Sequence, residues 1–286
     1  MHEILNKEVL TEDITRFDIF SPVIAARAKA GQFVIIRVNS QGERIPLTIA
    51  DSNPDKGTIT IISLLRGKTT CLLSSLKQGE FILDIVGPLG KESEIEKFGR
   101  VAVIGGGVGI APILPIVKAL KNEGNHVISI IGAKNKNNLI LVEEVKKQSQ
   151  EFYICTDDGS YCFKGFVSSF LVQYLADNTD EKIDRVIAIG PVPMMKAVCD
   201  VTRPYGIKTI VSLNSIMVDG TGMGGTCRVE IGGKTMFACV DGPDFDGHLV
   251  NFDLLIHRQN IYLKEEKQSM KEYLKDHECK ILSHSK

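Results

Sequence analysis

Residues 101–122 constrain the fold more than any other stretch. They read VAVIGGGVGIAPILPIVKALKN: a continuous apolar run, four glycines between 105 and 109, then helical periodicity with Pro112 in its first turn. An unbroken apolar strand is buried on both faces, and a glycine turn leading straight into a helix opens a βαβ unit. The chain repeats the unit. HVISIIGAK, EFYICTDDG, DRVIAIGPVPMMKAVCDVTRP and IKTIVSLN supply further strands, the third of them leading through a turn into its own helix; NLILVEEVKKQSQ and GFVSSFLVQYLADN read as intervening helices. This alternation predicts a doubly wound parallel sheet over residues 98–213.

The flanking regions obey other rules. Residues 1–97 hold short apolar runs between turn signals, as in ARAKAGQFVIIRV, GTITIISLL and GEFILDIVGPLG, which predicts a small antiparallel barrel. Residues 214–252 form a glycine-rich segment with two cysteines, and 253–286 read as a C-terminal helix with a charged outer face. The fold class is thus β plus α/β.

The chain has 286 residues and a formal net charge of −1, so neither nucleic acid nor an anionic membrane is expected as a partner. The N-terminus has no signal-peptide core, and no run reaches the roughly 20 apolar residues of a membrane span. A cytoplasmic location is expected. In a reducing compartment the seven cysteines favour metal or redox roles over structural disulfides.

Three motifs carry candidate chemistry. The first is Gly105, Gly106, Gly107, Gly109, Ala111 and Pro112. Glycines between a strand and a helix let the backbone approach a diphosphate, and the helix start supplies N–H donors. The spacing departs from the usual dinucleotide fingerprint, and the second strand ends in Gly132-Ala133-Lys134 without an acidic residue for a ribose. Lys134 and Lys136 follow that strand and suit either a phosphate or solvent. The second motif is Arg44-Ile45-Pro46-Leu47-Thr48, and the third is Arg66-Gly67-Lys68-Thr69-Thr70 before the apolar CLLSSL. A cation, hydroxyls and a helix start suit a phosphate, but an ordinary strand end and turn explain these residue types equally well.

The segment around the cysteines reads VDGTGMGGTCRVEIGGKTMFAC. Apolar and polar residues alternate about a glycine turn, which predicts a β-hairpin. Folding at Gly232-Gly233 brings Cys227 and Cys239 within one residue of being opposite; a three-residue loop through Lys234 would make them directly opposite. Cross-strand neighbours place their Cβ atoms about 4.5–5.5 Å apart, which admits a shared metal group or a disulfide.

In this order, R-x-P-L-T, G-K-T-T, GGGVGIAP and Gly190-Pro191-Val192-Pro193-Met194-Met195 resemble the ferredoxin–NADP reductase superfamily. TDDGSYCFKGFV, NSIMVDGTGM and CRVEIGGKTMFACVDGPDFDGH look more closely like the small subunit of NADH-dependent reduced ferredoxin:NADP oxidoreductase, also called the sulfide dehydrogenase beta subunit. That family is related to the dihydroorotate dehydrogenase electron-transfer subunit. The resemblance implies an FAD-binding barrel, a nicotinamide-binding domain and a C-terminal iron–sulfur segment. It implies FAD, a 2Fe–2S cluster and NAD(H) or NADP(H) as cofactors. The partners it implies are a larger flavoprotein subunit similar to the glutamate synthase small chain, and ferredoxin. Arg44, Pro46, Leu47 and Thr48 would meet the flavin and its phosphate. Gly67, Lys68, Thr69 and Thr70 would hold the FAD diphosphate. The 105–112 turn with Gly190, Pro191 and Met194 would line the nicotinamide site, with Asp157 a further contact.

For the cluster the family pattern gives Asp219, Cys227 and Cys239 as ligands, with Gly224 where a further cysteine stands. The expected consequences are an outside ligand, a labile cluster, or a subunit working without one. No catalytic acid, base or nucleophile is expected, and His248 reads as a surface hairpin residue. Two other functions fit the same motifs: a dihydroorotate dehydrogenase-type electron-transfer subunit, and a docking subunit with an impaired cluster.

Overall fold

The computed structural model describes residues 1–276. Cys279, His277, His284 and the end of the expected C-terminal helix lie outside the described residues.

The N-terminal region builds a seven-stranded antiparallel sheet that curls into a nearly closed barrel. Its strands are β1 (His2–Val9), β2 (Ile14–Phe20), β3 (Phe33–Arg37), β4 (Arg44–Asn53), β5 (Thr58–Leu64), β6 (Phe81–Ile82) and β7 (Asp84–Leu89), in the order β6-β1-β2-β5-β4-β3-β7. Alternation sets the two faces. Phe17, Ile19, Val34, Ile36, Ile49, Ile59 and Ile61 fill the interior. Short helix α1 (Pro22–Ala25) adds Ile24, and α2 (Lys68–Ser75) closes the interior with Leu73. The sequence pattern did not single out β1, HEILNKEV, because it has few apolar residues and its pairing with β2 is irregular between Ile4 and Asn6.

The central region is the expected α/β unit. Strands β8 (Arg100–Gly106), β9 (His126–Ala133), β10 (Glu151–Thr156), β11 (Phe163–Lys164), β12 (Arg185–Ile189) and β13 (Lys208–Ser212) lie parallel in the order β11-β10-β9-β8-β12-β13. Helices α3 (Ile110–Asn122), α4 (Val142–Lys147), α5 (Val167–Asp177) and α6 (Val192–Thr202) connect them. Helix α4 is shorter than NLILVEEVKKQSQ predicts. Residues Lys136–Asn138 form a separate 3-10 turn, and Leu141 takes a left-handed φ of 52° at the start of α4. Burial explains the break: Ile140 and Leu141 sink into the core against α3, so the chain bends to bury them.

The cysteine segment carries the hairpin of β14 (Arg228–Ile231) and β15 (Lys234–Phe237). Its loop is the two-residue version, with Gly232 at φ +57° and Gly233 at φ +76°. Positive φ at both positions is what a type I′ turn demands. The chain then does something the sequence did not announce. Strand β16 (Asp244–Asp246) joins the parallel sheet antiparallel to β13, pairing Val211 with Phe245. The sequence boundary at 213/214 therefore runs through a sheet. Where the sequence reads one C-terminal helix, the chain forms two: α7 (Phe252–Gln259) and α8 (Leu263–Asp276), separated by a turn at 260–262.

Two seams join the units. On one, α3 packs against the barrel: Ile14, Ala50 and Ile62 share a core with Ile110, Ile113 and Val117, and Lys118 Nζ meets Asp51 Oδ2 at 2.8 Å. On the other, Phe33 and Ile35 of β3 share a core with Cys227, Cys239 and Phe245. Among the described residues no helix is long and apolar enough to cross a membrane.

Candidate functional site

The glycine turn and the Gly190–Met195 turn end adjacent strands, β8 and β12. In this strand order β8 and β12 flank the point where the winding direction reverses, and the crevice beyond the strand ends there is where open α/β sheets bind ligands. The turns interlock. A Cβ on Gly109 would overlap the Ile189 carbonyl and lie 2.8 Å from Gly190 Cα; one on Gly106 would overlap Met194 Sδ. Gly107 has φ +57° and open space over its Cα. No side chain caps the start of α3, and Pro112 sits in its first turn. A close-approach backbone and uncapped N–H donors fit a diphosphate.

Asp157 follows β10, and its amide donates to the Ala133 carbonyl at 3.1 Å. Burial and then the Asp158 charge push its carboxyl above the ordinary value, with Lys134 opposing. Lys136 stands over the Tyr161 ring at 5.2 Å. Asp157, Lys134 and Lys136 therefore sit together at the ends of β9 and β10.

The two barrel motifs are brought together. Arg44, Pro46 and Thr48 pair with Arg37, Ile35 and Phe33 across β3 and β4, which places them on the outer face of the barrel. Leu47 points the other way and packs on the barrel core. Gly67 precedes α2, as the sequence predicts for a helix start. Thr70 Oγ1 accepts from the amides of Arg66 and Gly67 at 2.9 and 3.0 Å, so its hydroxyl holds the turn. Thr69 Oγ1 donates to Glu43 Oε2 at 3.3 Å, tying this turn to the residue before Arg44. Glu43 was not visible as a site residue, because a glutamate in a polar turn carries no sequence signal. An open cavity of about 230 Å³ on this face is lined by Arg37, Arg44, Ile35, Asp84 and Ile85 among others. Arg37 is ion-paired to Asp84, so the Arg44 guanidinium beside an apolar wall is the group that fits an anionic, ring-bearing cofactor.

The hairpin brings Cys227 and Cys239 together: their sulfurs lie 3.1 Å apart and both are buried. Ala238 is the residue directly opposite, donating to the Cys227 carbonyl at 3.0 Å. The turn from Phe237 to Asp241 swings Cys239 back toward its partner, with the amides of Val240 and Asp241 bonded to the Phe237 carbonyl. Burial, and then the neighbouring Cys227 thiol, push the Cys239 thiol up to about 12. The Gly222 amide acts in the opposite sense by bonding the sulfur.

Asp219 stands in the adjoining loop, and its carboxylate is turned into that loop. It accepts from Thr221 Oγ1 at 2.9 Å and from the Gly224 amide at 3.0 Å. Burial works to raise this carboxyl, but the bonds from Thr221 and Gly224 outweigh it and hold it below the ordinary value. Among the described residues no three His, Cys, Asp or Glu side chains converge closely enough to hold a metal ion. The structure thus joins the two thiols and leaves Asp219 beside them. A Cβ on Gly224 would point toward Asp219, 3.3 Å from its Oδ1. Two thiols and a carboxylate are donors of the right type for an iron–sulfur group; a 2Fe–2S cluster takes four, and Gly224 offers no side-chain donor.

Among the described residues the other four cysteines lie away from this pair. Cys71 and Cys199 lie on α2 and α6, Cys155 on β10, and Cys162 in an exposed turn at φ 53°. His248 is not a surface hairpin residue. It lies half-buried in a 3-10 turn, with Nε2 3.0 Å from Thr202 Oγ1.

Barrel, parallel sheet and cysteine hairpin define the class: a ferredoxin-reductase-like oxidoreductase with an appended iron–sulfur segment. The comparisons narrow it. Residues 103–200 match the family model described as an oxidoreductase NAD-binding domain. Residues 214–251 match the iron–sulfur cluster binding domain of dihydroorotate dehydrogenase B. A Thermotoga maritima protein named as a dihydroorotate dehydrogenase B electron transfer subunit homolog is 46% identical over 275 residues, covering 96% of each chain. The subunit so named in Streptococcus mutans is 35% identical over 232 residues, covering 78% of this chain and 87% of that one. The chain belongs to the family of dihydroorotate dehydrogenase B electron transfer subunits. Its fold also matches a chain in a structure described as NADH-dependent reduced ferredoxin-NADP oxidoreductase, with TM-score 0.90, 46% identity, and coverage of 96% and 98%. An Amycolatopsis cytochrome P450 reductase shares the fold at TM-score 0.59 and 18% identity.

Proposed function

We propose that the chain is an electron-transfer subunit that takes electrons from a reduced nicotinamide, carries FAD, and passes them through an iron–sulfur site to a larger flavoprotein partner. The observation that carries this reading is the contact between barrel and cysteine loop. A Cβ on Gly220, the residue after Asp219, would lie 2.8 Å from Ile35 Cγ1, and Ile35 is the register partner of Pro46. The cofactor face of the barrel and the thiol loop are therefore neighbours through one strand.

Bound flavin supplies the hydride acceptance and the conversion from paired to single electrons, and an iron–sulfur group supplies the single-electron exit. The chain positions these groups. Arg44, Pro46 and Thr48 hold the ring and phosphate side of FAD, Leu47 contributing only its backbone. The start of α2 at Gly67, Lys68 and Thr69 faces the diphosphate, with Thr70 fixing the turn. Gly105, Gly106, Gly107, Gly109, Ala111 and Pro112, with Gly190, Pro191 and Met194, hold the nicotinamide coenzyme, and Asp157 borders it. Cys227, Cys239 and Asp219 serve the cluster. On this reading 1–97 is the flavin unit, 98–213 the nicotinamide unit, 214–252 the cluster unit, and 253–286 the C-terminal segment, whose described part is α7 and α8. The partner resembles the glutamate synthase small chain, ferredoxin is the redox partner of the complex, and the setting is the cytoplasm.

The test is NADH-driven reduction of an artificial dye by the purified flavoprotein. Dye reduction without any iron supports the flavin–nicotinamide part on its own. Full FAD content with no dye reduction by either NADH or NADPH would instead make the chain a docking subunit.

A further inference from the structure

A cavity of about 40 Å³ lies beside the cysteine pair and belongs to none of the sites above. Ser215, Thr226, Arg228, Arg258, Gln259 and Tyr262 frame its polar side, and among the described residues no carboxylate lines it. Neither arginine has an ion-pair partner among the described residues. Arg258 donates to the Thr226 carbonyl at 3.2 Å, which leaves most of its donor fork unspent. Gln259 spends its amide donors on Asn214, at 2.9 Å to both the backbone and side-chain oxygens. Ser215 is 5% exposed, and its hydroxyl is buried with no partner among the described residues. Buried polar groups are ordinarily bonded, so an orphaned hydroxyl at the wall of a cationic cavity marks a place for an acceptor.

We propose that this cavity binds a small tetrahedral oxyanion of the phosphate class. The lining is rich in donors, carries two positive charges and lacks any negative one. Arginine forks match phosphate geometry, and a hydroxyl donor completes the set. The volume admits an ion about the size of a few waters and excludes a nucleotide. The C-terminal end of α7 disfavours an anion, but a two-turn helix has a weak end and two guanidiniums outweigh it. The site straddles Cys227: Thr226 precedes it, Arg228 follows it, and Arg258 reaches it from α7. A bound oxyanion ties the strand that presents Cys227 to that helix.

The experiment is a titration of the full-length protein with inorganic phosphate at fixed ionic strength, followed by calorimetry and by backbone amide shifts. Saturable one-to-one binding is expected, with the largest shifts at Ser215, Thr226 and Arg228. Sulfate competes, whereas chloride and acetate do not. Arg228→Gln, at an exposed position, weakens binding about tenfold or more, and Ser215→Ala weakens it independently. Shifts confined to the 105–112 turn or the start of α2 would overturn the proposal, as would unchanged affinity in Arg228→Gln. Acetate binding as tightly as phosphate would overturn the tetrahedral class.

Discussion

A methyl group added at Gly109 or at Gly106 forces a neighbour to shift, yet the two neighbours differ in kind. At Gly109 the obstacle is the carbonyl of Ile189, part of strand β12; at Gly106 it is the flexible end of Met194. Gly109→Ala is expected to lower stability by about 2–3 kcal/mol and to abolish nicotinamide binding, and Gly106→Ala by about 1 kcal/mol or less, as thermal unfolding would show. Gly224 is the opposite case. Its nearest obstacle is the Asp219 carboxylate at 3.3 Å, and its φ lies outside the range that favours glycine. Gly224→Cys should fold normally and retain more iron and acid-labile sulfide after anaerobic purification; unchanged iron content would remove Gly224 as the cause of a weak site. Metal loading at the pair must also displace protons. With the Cys239 thiol pushed up to about 12, iron incorporation should speed up as pH rises from about 7 to about 8.5, because the thiolate fraction grows with pH.

At the scale of elements, the linker into the α/β unit hangs on one side chain. Arg185 of β12 is 6% exposed, stacks 3.5 Å from the Phe98 ring centroid and bonds Glu94 Oε2 at 2.7 Å. Arg185→Ala should lower stability by about 2–4 kcal/mol in denaturant unfolding, through lost packing as much as lost charge. Elements of this unit were legible because buried parallel strands are continuous apolar runs and their helices keep a 3.6-residue period. Strands β1 and β16 were not. HEILNKEV mixes charges into a barrel edge region, and DFD is three residues long, so neither shows a period. The site divides the same way. Glycines and cysteines have few alternative uses at strand ends, so they could be read directly. The inward turn of Leu47 and the loop bonds of Asp219 depend on register and tertiary contact, which spacing alone does not encode.

At the scale of the whole molecule, three regions meet at Asp244. Its Oδ2 accepts from Ser93 Oγ at 2.6 Å, across the sequence from the barrel exit, and Ser212 of β13 bonds the same carboxyl. Burial pushes the carboxyl above its ordinary value of 3.8, against the bonds from Ser93 and Ser212. A raised acid favours the protonated folded state, so its contribution is present below that ordinary value and is lost as pH rises toward the folded one. Asp244→Asn should therefore flatten the fall in stability as pH rises above the ordinary carboxylate range, as melting temperatures at a series of pH values would show. Nearby, the Lys91 amide donates to the Gly242 carbonyl at 2.7 Å, and β16 completes the sheet beside β13. The consequence bears on how such chains can be recombined. A graft of residues 214–251 from a cysteine-richer relative would import a strand cut to another neighbour's shape. Such a chimera should express as aggregate unless residues 90–93 and 208–212 travel with it, so the heritable unit here is a patchwork drawn from three distant parts of the chain.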